Sequence, residues 1–465
     1  MASSTDRAAG RTYESGDPYV LDPKNVREPP TGWGPSFRFL GPGMITSAAV
    51  VGSGELITAT TLGATVGFVL LWLVFVSTFV KVAVQIELAR WSISTGSAAI
   101  AGYDHVPPRI AERGWISYIA LLMFVQFLTS QAGVISAAGL ALALLVPIDG
   151  DPTSTASIGF WVLVMVAVVI AIHVTNRYRI VELVSTLLVV AVTAAVVVMV
   201  FGIQLTPFAW TAGDLAEGLS FQIVAGAMGV ALSMFGLTGV GAGEITSYTF
   251  WCVEKGYAAW TGPDDGSQDW VRRARGWIAV MKKDAWVSWV VYTLSTASFY
   301  VLGAAVLHPQ GLVPTGNEVL TTISRIFTDT VGTWVATVFL LFAALALFKT
   351  IVANVPSLSR QTANSLAVFG AFRWSDQRAR DRWMRILMIG MPIIWGLLGV
   401  AVKSPLTLVI IGGILNAFYL MAVAVAALYL SFSETDPRIK DGRLFTAYLV
   451  LSALSIFAVG VIALV

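Results

Sequence analysis

Two short stretches of this chain carry residues whose types and spacing could do chemistry. Val51-Gly52-Ser53-Gly54-Glu55-Leu56-Ile57-Thr58 and Val240-Gly241-Ala242-Gly243-Glu244-Ile245-Thr246 repeat one pattern: two glycines with a residue between them, then a glutamate. Both lie in the middle of long apolar runs. A glycine costs a helix about 1 kcal/mol relative to alanine, so each pair predicts a local unwinding. Unwound backbone in a bilayer leaves carbonyl oxygens that lipid cannot satisfy, and such a stretch must line a cavity or hold a ligand. A carboxylate at that depth must be paired, hydrated or protonated. Two carboxylates beside bare carbonyls form a cation-seeking set of oxygen ligands, suited to magnesium, calcium or manganese more than to iron or zinc. Close helix packing is the competing explanation for the glycines alone. It does not account for an acid recurring at the same place in both stretches.

The remainder of the sequence says what must position these residues. Of 465 residues, 56% are hydrophobic and 12% charged, about half the charge usual in a soluble domain. That shortage excludes an ordinary soluble enzyme, a disordered chain and a basic nucleic-acid binder. The lone cysteine, Cys252, excludes a disulfide framework and a cysteine zinc site, and His105, His173 and His308 have no metal-ligand spacing. Neither a P-loop nor a nucleophile elbow occurs, so an enzyme, a nucleotide-driven pump and a cofactor are not expected.

Eleven stretches reach the roughly 20 apolar residues that cross a bilayer. They fall near 42–65, 67–91, 115–146, 156–174, 180–204, 220–250, 285–307, 331–354, 386–402, 405–432 and 444–465. The class is therefore an all-α polytopic membrane protein, with one transmembrane domain over 38–465 and a polar, flexible or surface-lying arm over 1–37 that has no signal peptide. With the N-terminus in the cytoplasm, as the positive-inside rule requires, nearly all of the 29 basic residues fall inside. The exceptions are Arg325 and Lys403 outside and Lys81 and Lys349 within spans. Residues 252–284 read as a cytoplasmic loop with a short amphipathic helix. No other Asp or Glu lies deep in a span, and Glu87, close to Arg90, reads as half of a surface ion pair. A multi-pass plasma-membrane protein with no obligate protein partner is the expectation.

The two glutamates allow two kinds of cargo. If both ionise, a divalent metal ion neutralises them. If they share a proton, a small organic cation or amine suffices, with guanidinium favoured by the fork geometry of carboxylate pairing. Lys349 admits two readings: its ammonium snorkels to the cytoplasmic surface, or it lies tethered near the first break and neutralises Glu55. Lys81 has the same ambiguity. Thr58, Thr246, Ser247 and Tyr248 follow the breaks and could bond a ligand. Gln126, Gln131 and Asn416 either line the path or join helices to one another.

These motifs resemble the Nramp metal-ion transporters and their diverged Nramp-related relatives. Gly41-Pro42-Gly43 is similar to the start of the family's first helix, and Gly52-Ser53-Gly54-Glu55 falls on its Asp-Pro-Gly-Asn. Gln85 to Arg90, Thr95-Gly96 and Tyr178-Arg179-Ile180-Val181-Glu182 also match, and Gly241-Ala242-Gly243-Glu244 falls on the family's Met-Pro-His-Asn. The resemblance implies a leucine-transporter-type fold. Repeat one would cover about 38–204 and an inverted repeat two about 220–432, with broken helices 1 and 6 at the site and helix 11 (444–465) appended. The departures bear on chemistry. The family's metal-binding Asp, Asn and Met become Gly52, Glu55 and Gly241; Met123, Ser130 and Gly133 stand where it has an acidic proton route, and Tyr248 replaces its second histidine. The expected function is a secondary-active cation carrier working by alternating access. A divalent metal ion leads as cargo, an organic cation is the alternative, and a channel or a non-transporting sensor or scaffold ranks below. Gly52, Ser53, Gly54, Glu55, Gly241, Ala242, Gly243 and Glu244 are the expected binding residues, with Glu55 and Glu244 as metal ligands.

Overall fold

A segment surrounded by hydrocarbon must close its own backbone hydrogen bonds, and the helix does this within one run of chain. The apolar runs accordingly become helices. The computed structural model describes residues 17–52, 54–174, 178–332, 334–402 and 404–462. Ser53, Arg177, Lys403, the first sixteen residues of the expected arm and the last three of the final span lie outside them.

In chain order the helices that build the bundle are α1 (Pro42–Val50), α2 (Thr60–Val66), α3 (Leu71–Thr95), α4 (Trp115–Leu145), α5 (Thr155–Val174), α6 (Tyr178–Gly202), α7 (Met228–Leu237), α8 (Ala242–Lys255), α9 (Gln268–Leu302), α10 (Val335–Val368), α11 (Gln377–Ala401), α12 (Pro405–Ser433) and α13 (Arg443–Ile462), with shorter helices in the connections, among them Val319–Val331. Among the described residues nine spans are long and apolar enough to cross a membrane, α7 with α8 counted as one. The pair α1 and α2, bent by 43°, makes a tenth, and a shorter apolar helix over Val189–Leu205 covers part of the remaining run. Two successive sets follow, each a broken helix and four whole ones, and α13 stands last. Apart from a two-residue hairpin pairing Arg109–Ile110 with Arg113–Gly114, the described chain is helical and loop. Leu122, Leu163, Val198 and Leu397, each more than two-thirds exposed, present the outer apolar surface that lipid would cover.

The broken helices are held from two sides. α4 packs on α10, α11 and α12, and α7 runs along α12. On the other side α9 packs along α3, and α1 is gripped by α8, α9 and α10.

Residues 252–284 differ from the expected loop. α8 continues to Lys255, a short helix covers Tyr257–Thr261, and α9 starts at Gln268, capped where Ser267 Oγ accepts from the Trp270 amide. The reason is aromatic burial. Trp260, Trp270 and Trp277 are all nearly inaccessible, and the rings of Trp260 and Trp277 lie 4.6 Å apart. A helix in water keeps its shape when it has such a face to bury. Residues 17–40 lie across this arginine-rich end: Tyr19 donates to Glu254 at 2.9 Å, Asp17 pairs with Arg380 at 2.9 Å, and Trp277 donates to the Arg27 carbonyl at 3.0 Å. Glu87 does pair with Arg90, at 3.2 Å, but both side chains are buried, not at the surface, because Arg90 reaches on to Asp441 and the Ile439 carbonyl.

Candidate functional site

The first break begins where α1 ends. The Val51 amide still bonds to Ser47, but Gly52 adopts φ +151°, and the chain resumes at Gly54 as a π-helical turn to Ala59. Close approach explains both glycines. A Cβ on Gly52 would stand 2.5 Å from Thr350 Oγ1 and 2.9 Å from the Ala346 carbonyl of α10, and one on Gly54 would stand 2.7 Å from the Leu237 carbonyl. Leu237 is the last residue of α7, so the two breaks touch.

The second break is displaced from its expected place. The chain unwinds over residues 238–241, and Ala242, Gly243, Glu244 and Thr246 already belong to α8. Glu244 thus sits in the first turn of α8, where the positive end of the helix dipole favours a carboxylate. Gly241 leaves room for it: a Cβ there would lie 2.6 Å from Glu244 Oε2 and would also run into the Asn416 amide.

The two glutamates have unlike surroundings. Glu55 is fully buried and its carboxylate accepts from the Gly52 amide at 3.2 Å, the Gly239 amide at 3.4 Å and the Thr296 hydroxyl at 3.1 Å. It ties the first break to the second and both to α9. Glu244 Oε2 is enclosed and has no hydrogen-bond partner. Glu244 lines a narrow cavity of about 20 Å³ together with Gln126, Ser130 and Gln131 of α4 and Asn354 of α10, and Glu55 is not among the lining residues. The carboxylates therefore do not share one open space.

The carbonyls freed by the breaks are met by lysines. Lys349, 3% exposed, donates to the Val51 carbonyl at 2.5 Å. Lys81, fully buried, donates to Thr238 at 2.7 Å and to Phe235, with its ammonium 4.9 Å above the Phe235 ring. Lys349 lies within electrostatic range of Glu55, and Lys81 within range of both glutamates. This overturns snorkelling for both residues: a buried ammonium needs acceptors, and unwound carbonyls supply them.

The other sequence-selected residues divide. Asn416 comes to the site, donating to the Gly236 carbonyl at 3.0 Å with Oδ1 unpartnered. Gln131 accepts from Asn354 at 3.3 Å in the cavity wall. Thr58 only back-bonds to Gly54 in its own helical turn. Thr246 pairs with Tyr103 at 2.8 Å, and Tyr248 donates to Asp284 at 2.9 Å, both away from the cavity. Ser247 accepts from Gln361, which also holds the Gly243 carbonyl.

Sequence reading missed Asp284, Thr296, Thr350 and Gln361. Asp284 is buried and caps α1 by accepting from the Gly41 and Gly43 amides at 2.8 and 2.5 Å. It precedes the expected span of 285–307 by one residue, and only the tryptophans upstream hint that the helix continues there. Among the described residues no three His, Cys, Asp or Glu side chains gather into a metal cluster, so amides and carbonyls must complete any cation shell.

Two broken helices that touch at their breaks, each break carrying a glutamate and met by a buried lysine, are the arrangement of a leucine-transporter-type carrier. An Eremococcus coleocola manganese transporter (a Glu-to-Gln variant) superposes with a TM-score of 0.67 at 15% identity, over 96% of this chain and 90% of that one. The sequence profile of the natural resistance-associated macrophage protein-like family, Nramp, matches residues 43–465, and the chain belongs to that family. It is 27% identical over 208 residues to a divalent metal cation transporter, MntH, of Granulibacter bethesdensis, covering 44% of each chain. An uncharacterized protein of Pasteurella multocida is 22% identical over 343 residues, 72% of each chain.

Proposed function

We propose that this protein carries a divalent metal ion across the plasma membrane by alternating access, with its N-terminus and arginine-rich end in the cytoplasm. One observation carries the reading: the unpartnered carboxylate oxygen of Glu244, at the positive end of α8 and beside the meeting point of both breaks. Burying such an oxygen without a donor is costly, and a cation removes the cost. Glu55 ties the two breaks together beside it, and the Lys81 and Lys349 ammonium groups lie within range of its charge. Membership of a metal-transporter family and the manganese and divalent-metal names of its relatives support the same cargo. An organic cation is not favoured, because the cavity has room for about one water-sized guest and a guanidinium is larger. Gly52, Gly54, Gly241, Ala242 and Gly243 shape the site, and Ser53, beyond the described residues, is proposed with them from its place in the motif.

The test is flux into proteoliposomes from a panel of ions. Saturable uptake of Mn2+ or another hard divalent cation is expected, with loss in the Glu55→Gln, Glu244→Gln double variant. Equal uptake by wild type and double variant rejects the site.

A further inference from the structure

The arginine-rich end uses most of its cations within the protein. Arg272 pairs with Glu28, Lys282 with Asp441, Arg360 with Glu254, Arg380 with Asp17 and Arg438 with Asp436. Three arginines of α11 are different. Arg378, Arg382 and Arg385 are exposed, and among the described residues none of them has an ion pair. Of the neighbouring acids, Asp376 caps α11 by accepting from the Ala379 amide at 3.1 Å, and Asp381 is half-buried and pairs with none of the three. Spacings of four and three put these arginines on one face of the helix. The same face continues as Ile386, Ile389, Ile393 and Leu397, between 39% and 69% exposed. The opposite face, with Arg380, Met391 and Trp395, is buried.

The lengths fit a membrane boundary. At 1.5 Å per residue the apolar stripe from Ile386 to Leu397 is about 17 Å long, close to one leaflet of a hydrocarbon core of about 30 Å. The arginines occupy the two turns before it, at the level of the headgroups. Trp383 stands in the same turns, half-buried, its ring stacked 6.0 Å from that of Phe372, and such aromatic residues belong to the interface. We propose that this face of α11 binds an anionic phospholipid of the leaflet at the arginine-rich end, with its phosphate among Arg378, Arg382 and Arg385 and an acyl chain along the isoleucines. A guanidinium meets a phosphate through two parallel hydrogen bonds, and unpaired arginines at this depth favour an anionic headgroup over a zwitterionic one. One molecule supplies both halves of what the face calls for, an anion and then hydrocarbon. A second copy docked on the same patch by twofold symmetry would set arginine against arginine. The inference concerns a lipid partner and stands whatever ion is carried.

The experiment is titration of the purified full-length protein with phosphatidylglycerol and, in parallel, phosphatidylcholine, read by native mass spectrometry. Wild type should bind phosphatidylglycerol in preference. Each basic residue beside an anionic headgroup contributes about fivefold in affinity, so Arg378→Gln, Arg382→Gln and Arg385→Gln combined should weaken phosphatidylglycerol binding about a hundredfold. The unfolding temperature of that triple variant in lipid-free detergent should stay at the wild-type value, which checks its folding. Arg272→Gln, Arg275→Gln and Arg438→Gln combined remove the same charge elsewhere and should leave the preference intact. Dihexanoyl phosphatidylglycerol, which keeps the headgroup but is too short to follow the stripe, should bind wild type more weakly than the long-chain lipid. Equal affinity of wild type for the two long-chain lipids overturns the inference. So does a preference that survives the α11 triple variant, one lost equally in the control variant, or short-chain lipid that binds as tightly as long. Wild-type dimers that disappear in the α11 triple variant, with no lipid bound to either, assign the face to a second copy and overturn it as well.

Discussion

Lys349 donates to the carbonyl oxygen of Val51 at 2.5 Å, across 298 residues of sequence, and so caps the last residue before the first break. A cation on a side chain stands where an unwound helix end would otherwise need a bound one. Removing it leaves the buried Val51 carbonyl without its donor. Leaving a buried acceptor unsatisfied costs about 1–3 kcal/mol. Lys349→Met is therefore expected to lower stability by that order, read as a drop in unfolding temperature in detergent. An unchanged temperature would mean that the ammonium is not holding the break.

Thr296 supplies one of the three donors on Glu55. A hydrogen bond to a charged group contributes about 1.5–3 kcal/mol. Thr296→Val keeps the shape and removes the donor, so stability should fall by that amount while Mn2+ affinity stays near wild type. A large loss of affinity with unchanged stability would place Glu55 on the cargo.

Gly52 is constrained twice, by φ +151° and by Thr350. Gly52→Ala should destabilise by about 1–3 kcal/mol, the range for overpacking. Thr350→Ala in the same chain should recover part of the loss, because it removes the nearer clash and leaves the backbone strain. Strict additivity in this double-variant cycle would show that the two residues do not meet.

Cys252 is fully buried in α8, and as the lone cysteine it reports on opening of the arginine-rich end. The buried Asp17–Arg380 pair fastens the N-terminal segment over that end. Asp17→Asn should raise the maleimide labelling rate of Cys252 under native conditions. A loss of about 1.4 kcal/mol from the closed state corresponds to roughly a tenfold change. Unchanged labelling would mean that the segment does not restrain the opening.

Asp441, in the loop between α12 and α13, gives a pH dependence. Its partial burial alone would raise its pKa, but the Lys282 ammonium and the Arg90 guanidinium outweigh that and hold its carboxyl below the ordinary value. A depressed folded-state pKa contributes stability above the unfolded value, about 3.9, that is lost as pH falls through the folded value. Wild type should lose stability more steeply than Asp441→Asn below about pH 4, as measured by unfolding in detergent across that range. Parallel curves would remove Asp441 from the acid response.

What the sequence determined by itself is the part governed by local composition. A run of about 20 apolar residues must become a helix in lipid, so the apolar runs were legible as helices, and so was the first break at Gly52 and Gly54, whereas the second falls at 238–241 with Gly243 already inside α8. The tertiary structure decided the partners. Gly52–Glu55 and Gly241–Glu244 read alike along the chain, yet Glu55 finds Gly239 and Thr296 from other helices whereas Glu244 finds a cavity. Lys349 and Lys81 reach acceptors on helices far away in sequence, and no local pattern states which helix will turn its carbonyls toward them. Residues 268–284 read as loop by hydropathy because their burial comes from tryptophans stacking at the aqueous end, outside the lipid rule. Hydropathy records the solvent a segment prefers. Which face meets which neighbour is fixed only when all the helices pack together.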